Sequence, residues 1–220
     1  MCIRDRVTTA LRVQRHEFAN RMHVVAGLID AARIDDARGF LDELVERGSV
    51  AFPVAGLELL SDPFLHSFLG AKGIEAGGRG VALRIADETQ LIGSVAEPED
   101  VAAVLGNLVD NAVKAAASGE RIPRWVEVAV LGDGDALVVT VADSGPGLAG
   151  IDPMAPRTPG EDDHDHVHGH GLGIPLARDI ARRRGGDLWI IDAGGGEHGA
   201  VLAARIGRAV SDTPTTEEKQ

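Results

Sequence analysis

The chain has 220 residues, with 34 acidic against 22 basic side chains and a formal net charge of −12. The length allows one domain, or one domain with a smaller module. The excess of negative charge argues against broad binding to nucleic acid or to anionic membranes, because their phosphate groups would be repelled. The single cysteine, Cys2, excludes an internal disulfide and fits a reducing compartment. No run of the sequence approaches the ~18 apolar residues that a membrane span needs.

The first part of the chain, from residue 7 to about residue 77, is predicted to be helical. Between Leu11 and Ala32, apolar side chains recur at intervals of seven, four and three residues, the heptad pattern of a helix that packs on another helix. This pattern fits either one amphipathic helix on an ordinary core or a helical hairpin that dimerises into a bundle. A second helix is predicted over Ile34–Arg47. Asp62-Pro63 predicts the start of a third, because proline suits the first helical position.

The second part, from about residue 80 to residue 207, alternates strand and helix patterns and is predicted to be mixed α/β. Residues 147–170 form a long stretch without periodicity, which indicates a functional lid or a disordered linker. The predicted helices cover residues 97–117 and Leu172–Arg184, and the predicted strands are Val81–Ala86, Trp125–Leu131, Ala136–Asp143, Asp187–Ile191 and Ala200–Ile206.

Three polar side chains of the predicted helix over 97–117 carry the first chemical motif. Asn107, Asn111 and Lys114 are spaced i, i+4 and i+7, so they line one stripe of the helix, opposite an apolar stripe. Amide oxygens can ligate Mg²⁺, and the ammonium can face a phosphate. Taken alone, the pattern fits an ordinary solvated helix face equally well.

Two glycine-containing segments carry the second and third motifs. Asp143-Ser144-Gly145-Pro146-Gly147 follows a predicted strand, where a carboxylate can accept a hydrogen bond from an exocyclic amine and glycines let a flat ring approach the backbone. Gly169-His170-Gly171-Leu172-Gly173 opens a predicted helix, where backbone N–H groups form an anion site. Taken separately, the first segment also fits a tight turn and the second a plain loop.

The order of these features is more specific than any one of them. A polar-striped helix, a hairpin, a strand-end DSGPG, a long lid and a GxGLG helix resemble, in that order, the ATP-binding domain shared by histidine kinases, gyrase, Hsp90 and MutL. The resemblance covers about residues 80–207. It implies that Asp143 contacts the adenine amine and that Asn111 is the Mg²⁺ ligand. The other nucleotide-binding residues that it implies are Asn107, Lys114, Gly145, Gly147, Gly169, Gly171, Leu172 and Gly173.

The string RHEFANRMH, residues 15–23, carries the candidate phosphoacceptor. His16 falls outside the heptad positions, and Asn20 and His23 follow it at i+4 and i+7 on the same polar face. A neutral imidazole on a rigid helix can attack a γ-phosphate, although a lone surface histidine usually has no such role.

This string resembles the phosphoacceptor box, HEFxNxLH, of sensor histidine kinases of the citrate/C4-dicarboxylate type. The resemblance implies that His16 is phosphorylated, that Glu17 is the base on the imidazole, and that Asn20 takes part in phosphotransfer or dephosphorylation. It also implies ATP and Mg²⁺ as cofactors and a homodimer formed through a four-helix bundle. The partner that it implies is a response regulator whose aspartate receives the phosphoryl group.

Together the two resemblances predict an α+β protein with three regions. Residues 7–77 form a helical dimerisation and phosphoacceptor region, and residues 78–208 form an α/β sandwich that binds ATP, with a mixed, largely antiparallel sheet. Residues 209–220 are predicted to be a disordered tail. We expect a cytoplasmic kinase core, whose full-length parent reaches the membrane through a sensor region absent from this chain.

Two other functions stay open from the sequence: an anti-sigma-type serine kinase with the same ATP fold, and a nucleotide-binding interaction module without catalysis. The string around His16 counts against the serine kinase, and a lid without phenylalanine keeps the interaction module open. Within this lid, Asp162–His170 has four histidines at alternate positions. That spacing fits a transition-metal site, a pH-dependent charge or, most simply, a solvated loop.

Overall fold

The computed structural model describes residues 52–154, 173–196 and 198–211. The chain divides into two compact units, residues 1–51 and 52–220, and the described residues belong to the second. The first two predicted helices and His16, Glu17 and Asn20 lie outside the described residues, as does most of the predicted lid.

The described elements match the predicted ones closely, because their apolar periodicities are strong. The helices and strands named in the sequence analysis between residues 81 and 206 have bounds within two residues of the prediction. The helices are α1 (Pro63–Gly78), α2 (Pro98–Ser118) and α3 (Gly173–Arg183), with a 3-10 turn at Leu57–Leu59. The strands are β1 (Val54–Ala55), β2 (Ala82–Ile85), β3 (Ser94–Val95), β4 (Trp125–Asp133), β5 (Ala136–Asp143), β6 (Asp187–Asp192), β7 (Val201–Ile206) and β8 (Val210–Ser211).

Six of these strands form one mixed sheet in the order β1-β2-β4-β5-β7-β6. The pairs β1–β2 and β2–β4 are parallel, and the other pairs are antiparallel. In the β4–β5 hairpin, Asp133 pairs with Ala136 across a turn in which Gly134 has a φ of 61°, so Asp143 lies opposite Val126 at the far end. The predicted α+β class, with a mixed and largely antiparallel sheet, is confirmed.

The helices pack on the sheet through its alternate apolar residues. Helix α2 contacts β4, β5 and β7, α1 contacts β1 and β2, and α3 contacts β6 and β7. Fully burying each valine or leucine contributes roughly 1.5–3 kcal/mol, so this layer supplies most of the driving force for folding. The buried residues of α2 are Val101, Val104, Leu105, Gly106, Leu108, Val109, Ala112, Val113 and Ala116.

Helix α1 belongs to the same compact unit as the sheet. Asp62 caps its N-terminus, with Oδ1 accepting a hydrogen bond from Leu65 N at 2.9 Å, while Oδ2 accepts one from Val95 N at 3.0 Å. A Cβ built at Gly70 would lie 2.5 Å from the ring of Phe52, so a small residue lets this helix lie close to the start of the unit. The predicted helical region 7–77 includes this helix, whereas the compact unit that contains it begins at Phe52.

A second, two-stranded sheet extends the ordered chain beyond the predicted boundary. Strand β3 pairs with β8, with Ser94 opposite Ser211 and Val95 opposite Val210. Ala209 is fully buried and accepts a hydrogen bond from Ala96 N at 2.9 Å. The expectation of disorder from residue 209 was therefore wrong for residues 209–211, because burial and strand pairing hold them in place.

Candidate nucleotide site

The polar stripe of α2 follows from the burial of its opposite face. With the apolar stripe turned to the sheet, Asn107 and Asn111 are half-buried and Lys114 is exposed. Asn107 Nδ2 donates to Ala103 O at 2.6 Å, which leaves Asn107 Oδ1 as the acceptor atom of this amide. A Cβ built at Gly173 would overlap that oxygen, so the first residue of α3 lies directly against Asn107. The structure thus brings the last glycine of the third motif against the first motif.

Asn111 and Lys114 differ from Asn107 in having no side-chain hydrogen bond or ion pair to the described residues. The neighbouring acidic residue, Asp110, is instead paired with Lys72 of α1 at 2.9 Å. An amide oxygen and an ammonium group on one helix face are therefore available to a ligand. An oxygen donor suits Mg²⁺ and the ammonium suits a phosphate, so the residues present fit a magnesium nucleotide.

The second motif is built around a buried carboxylate. Asp143, the last residue of β5, is 1% exposed, and its Oδ1 accepts a hydrogen bond from Gly145 N at 2.6 Å. Burial raises the pKa of Asp143 above its usual value. Backbone hydrogen bonding at Gly145 and Ala200 and the charges of Arg121 and His198 oppose that rise. Such a group is poised to accept a strong hydrogen bond from a ligand amine when it is ionised.

Two glycines make room for this carboxylate. A Cβ at Gly199 would overlap Asp143 Oδ1, and a Cβ at Gly145 would lie 2.7 Å from the same atom and 2.8 Å from the backbone carbonyl of Ala115 on α2. Gly199 N also donates to Asp143 O at 2.8 Å. Around Asp143 the backbone therefore packs directly on backbone, and any side chain at position 145 or 199 would disrupt this packing.

The DSGPG segment is further packed against the glycine-rich connection between β6 and β7. Gly147 has a φ of 84°, and a Cβ there would lie 2.7 Å from Ala193 O and 2.8 Å from Gly195 N. Leu148 N donates to Ala193 O at 2.7 Å. The positive φ and the close approach both require glycine at position 147.

Two residues of this site were missed by sequence reasoning. Arg121 donates through its guanidinium to Gly145 O and to Gly196 O, and Gly199 lies against Asp143. A glycine next to a predicted strand start was a usable signal for Gly199. No sequence signal marks Arg121, because its two acceptors are 24 and 75 residues away in the chain.

Of the predicted site residues, the structure describes Asn107, Asn111, Lys114, Asp143, Gly145, Gly147 and Gly173. Backbone contacts at Gly145 connect the Asp143 loop to α2, and Gly173 connects α3 to Asn107. Gly169, Gly171 and Leu172 lie outside the described residues. The described residues hold no group of three metal-ligating side chains of the His, Cys, Asp or Glu type, and the four-histidine segment is not among them.

A polar helix face, a buried strand-end carboxylate and glycine loops on a mixed sheet define a nucleotide-binding α/β sandwich. Residues 96–209, slightly more than half of the chain, match the family of histidine kinase-, DNA gyrase B-, and HSP90-like ATPases, and the chain belongs to this family. Residues 2–48 match the alpha-helical domain of SpoOB-type sensor kinases.

Two similar proteins narrow the assignment within this family. The chain is 25% identical over 143 residues to the sensor protein CitS and 30% identical over 146 residues to a probable C4-dicarboxylate sensor kinase, both of Halalkalibacterium halodurans. Each alignment covers 63% of this chain and 26% of the relative, so the chain spans about a quarter of their length. The predicted membership among sensor histidine kinase cores is confirmed, and these matches favour neither alternative function.

A solved structure supports the same fold. Full-length ShkA in complex with AMPPNP superposes with a TM-score of 0.50 at 18% identity, covering 92% of this chain and 46% of that one. In the described part of this chain, no helix combines the length and apolarity that a membrane crossing requires.

Proposed function

We propose that the second unit binds ATP with Mg²⁺ and that the bound nucleotide phosphorylates His16, from which the group passes to an aspartate of a response regulator. The observation that carries the proposal is the buried Asp143 carboxylate, enclosed by Gly145 and Gly199 at the end of β5. The string around His16 and the SpoOB-type match over residues 2–48 support a histidine as acceptor.

Asp143 orients the adenine. Its ionised carboxylate accepts a hydrogen bond from the exocyclic amine, and Gly145 and Gly147 leave the ring free to approach the backbone. A guanine or hypoxanthine base has a carbonyl at the corresponding position, so it places two acceptors face to face. The site therefore favours adenine nucleotides.

The face of α2 receives the phosphates. Asn111 holds Mg²⁺ through its amide oxygen, Lys114 faces a phosphate, and Asn107 stands beside them with its Oδ1 directed at Gly173. Gly169, Gly171, Leu172 and Gly173 supply backbone N–H groups at the start of α3. When bound, Mg²⁺ neutralises part of the charge on the phosphate oxygens.

His16 is the nucleophile. The lone pair of its imidazole Nε2 attacks the γ-phosphorus, the bond between the γ-phosphorus and the β–γ bridging oxygen breaks, and ADP leaves. Glu17 accepts the proton that the phosphorylated imidazole releases, and Asn20 assists the later transfer or removal of the phosphoryl group. A carboxylate oxygen of the regulator aspartate then attacks the same phosphorus and breaks the P–N bond, which restores the imidazole.

The assembly is a homodimer formed through the helical dimerisation region that the sequence predicts over residues 7–77. The SpoOB-type helical match and the sensor-kinase relatives support this arrangement and the response-regulator partner. In a longer parent protein, this core lies on the cytoplasmic side of the membrane, with no contact to nucleic acid.

The proposal is tested by incubating the purified chain with γ-³²P-ATP and Mg²⁺. We expect label that is stable in alkali, labile in acid and absent in His16→Gln. His66→Gln is the matched control, because His66 lies on α1, where its ring packs against Phe52, and it has no role in the proposed chemistry. Acid-stable label on an added protein, or nucleotide binding without any label, would overturn the proposal in favour of a serine kinase or an interaction module.

A further inference from the structure

The guanidinium of Arg121 joins two loops that enclose Asp143. Its Nη1 donates to Gly145 O at 2.8 Å and its Nη2 donates to Gly196 O at 2.5 Å. We propose that Arg121 is a positioning residue for base recognition, because it clamps the DSGPG loop and the glycine-rich β6–β7 connection around the carboxylate. The inference rests on the proposed function, in which Asp143 binds the adenine amine.

The position of Arg121 suits this role. It lies three residues after Ser118, the last residue of α2, and four residues before Trp125, the first residue of β4, so it stands on the short connection between two elements that flank the site. A guanidinium presents several N–H donors in a rigid planar fork, and here two of them reach different loops at once. A lysine has one flexible ammonium, which keeps the charge without reproducing the fork.

The clamped loops are rich in glycines with positive φ. Gly194 and Gly195 have φ values of 74° and 101°, and Gly147 has 84°. Glycine residues lose more conformational entropy on ordering than other residues do. A hydrogen bond from a side chain outside the loop therefore contributes more to holding a glycine-rich loop in one conformation. Among the described residues, other bonds also hold these loops: Leu148 N donates to Ala193 O at 2.7 Å, and Asp192 accepts a hydrogen bond from Gly194 N at 2.8 Å and pairs with His198 at 3.0 Å. The Arg121 guanidinium adds a side-chain bond to each of the two loops.

The clamp also acts on the carboxylate itself. Gly145 accepts from Arg121 through its carbonyl and donates through its N–H to Asp143 Oδ1, so one residue transmits the position of the guanidinium to the acidic side chain. The positive charges that face Asp143 are those of Arg121 and of His198 when it is protonated, and both favour the ionised form against burial. Removing Arg121 therefore leaves a looser and more readily protonated acceptor.

The first test uses the nucleotide-free chain. The ¹³C shift of the Asp143 carboxyl is followed by NMR as a function of pH in the wild type, Arg121→Met and Arg121→Lys. We expect the titration midpoint to rise in Arg121→Met and to rise less in Arg121→Lys, because the lysine retains the charge. Arg79→Met is the matched control, since Arg79 is exposed at the end of α1 and its side chain contacts neither loop.

The second test measures binding of ADP and of IDP, which has a carbonyl in place of the adenine amine, by calorimetry from pH 5 to pH 8. We expect Arg121→Met to lose about tenfold in ADP affinity and little in IDP affinity, with the ADP loss largest at low pH. Arg121→Lys should restore most of the pH profile but not the full affinity. An Arg121→Met chain with the wild-type midpoint and the wild-type ADP/IDP ratio would overturn the inference.

The two proposals fail separately. A wild-type chain that binds ADP and IDP equally would overturn the role of Arg121 in base recognition, whatever the outcome of the His16 labelling. If Arg121→Met behaves as expected but no phosphohistidine forms, the kinase proposal fails and the positioning role of Arg121 stands.

Discussion

Around Asp143, on the base side of the site, the polar atoms are enclosed and partnered, whereas on the phosphate side Asn111 and Lys114 make no hydrogen bond with the described residues. On the base side, Gly145 and Gly199 meet the carboxylate through the backbone. On the phosphate side, half-buried and exposed side chains lie along α2. The base side is therefore formed before a ligand arrives, and the phosphate side keeps its donors and acceptors for the ligand.

This difference has a physical reason. A flat, uncharged base binds through shape and a few directed hydrogen bonds, so preorganisation of its pocket saves entropy on binding. A triphosphate with its cation is highly charged and hydrated. Side chains that stay in contact with water can replace their bound water with the phosphate or the cation at small cost. Changes on the base side should therefore affect both stability and binding, whereas changes on the phosphate side should affect binding alone.

Gly199→Ala should have the largest effect, because the new methyl group overlaps Asp143 Oδ1 and lies 2.7 Å from Gly145 N. We expect a loss of about 1–3 kcal/mol in the free energy of unfolding, together with loss of ADP binding. The measurements are urea unfolding and calorimetry. Gly77→Ala is the control, because a Cβ at Gly77 on α1 meets nothing within 4 Å, and it should stabilise the chain by about 0.5–1 kcal/mol. Equal behaviour of the two variants would contradict a closed base side.

Asp143→Asn should separate binding from stability. The raised pKa of Asp143 means that its protonated form stabilises the fold, fully below the pKa of the unfolded chain, and that this contribution is lost as the pH rises through the folded pKa. Asparagine stays neutral, so the variant should gain stability relative to the wild type between pH 4 and pH 8. ADP affinity should nevertheless fall by roughly 10–100-fold, because a charged acceptor is lost.

Chemical unfolding at several pH values and calorimetry check both halves of this expectation. Asp133→Asn serves as the control, since Asp133 is an exposed residue at the end of β4 that pairs with Arg205 at 3.3 Å. An Asp143→Asn chain that binds ADP normally would remove Asp143 from the site.

The sequence predicted most of this architecture because local patterns carry it. Residues close together in the sequence form the apolar stripe of α2, the Pro63 start of α1 and the alternating pattern of β4 and β5. The three motifs are likewise short, continuous segments or helix-spaced residues. The polar stripe was ambiguous in the sequence. Burial of the opposite face and the contact of Gly173 with Asn107 now place it beside the start of α3.

The features that escaped prediction depend on residues far apart in the chain. Arg121 reaches Gly196 across 75 positions, and Gly199 is needed only because Asp143 folds against it. The short strand at Val210–Ser211 falls within the predicted disordered tail. A strand of two residues shows no periodicity in the sequence, and its pairing with β3 comes from the tertiary structure. Long-range contacts of this kind leave no local signature in one sequence.

Asn111→Asp tests the phosphate side. We expect weaker binding of Mg·ATP and slower autophosphorylation, by about tenfold, because the added charge changes the ligand at the metal and repels phosphate. Phosphotransfer from chemically phosphorylated protein to a regulator should be unchanged, and so should the free energy of unfolding, because Asn111 has no described partner to lose. Lys72→Met is the control for a charge change near α2, since Lys72 pairs with Asp110 and not with the site. Equal loss in both kinase assays would contradict this division of roles.

The smallest effect is expected from the ion pairs that join α3 to β6. These ion pairs help to hold α3, and with it Gly173, against Asn107. Arg178 and Arg182 donate to Asp187 at 2.8 and 3.1 Å, and these bonds hold the pKa of Asp187 well below its usual value. A depressed pKa contributes stability above the pKa of the unfolded chain, and that contribution is lost as the pH falls through the folded pKa. Arg178→Met should therefore cost at most about 1 kcal/mol at pH 7, since these half-buried groups remain in contact with water that screens their charges, and the cost should shrink below pH 4. Urea unfolding at pH 7 and pH 3 measures this, and a loss that is the same at both pH values would mean that Arg178 contributes through packing and not through its ion pair.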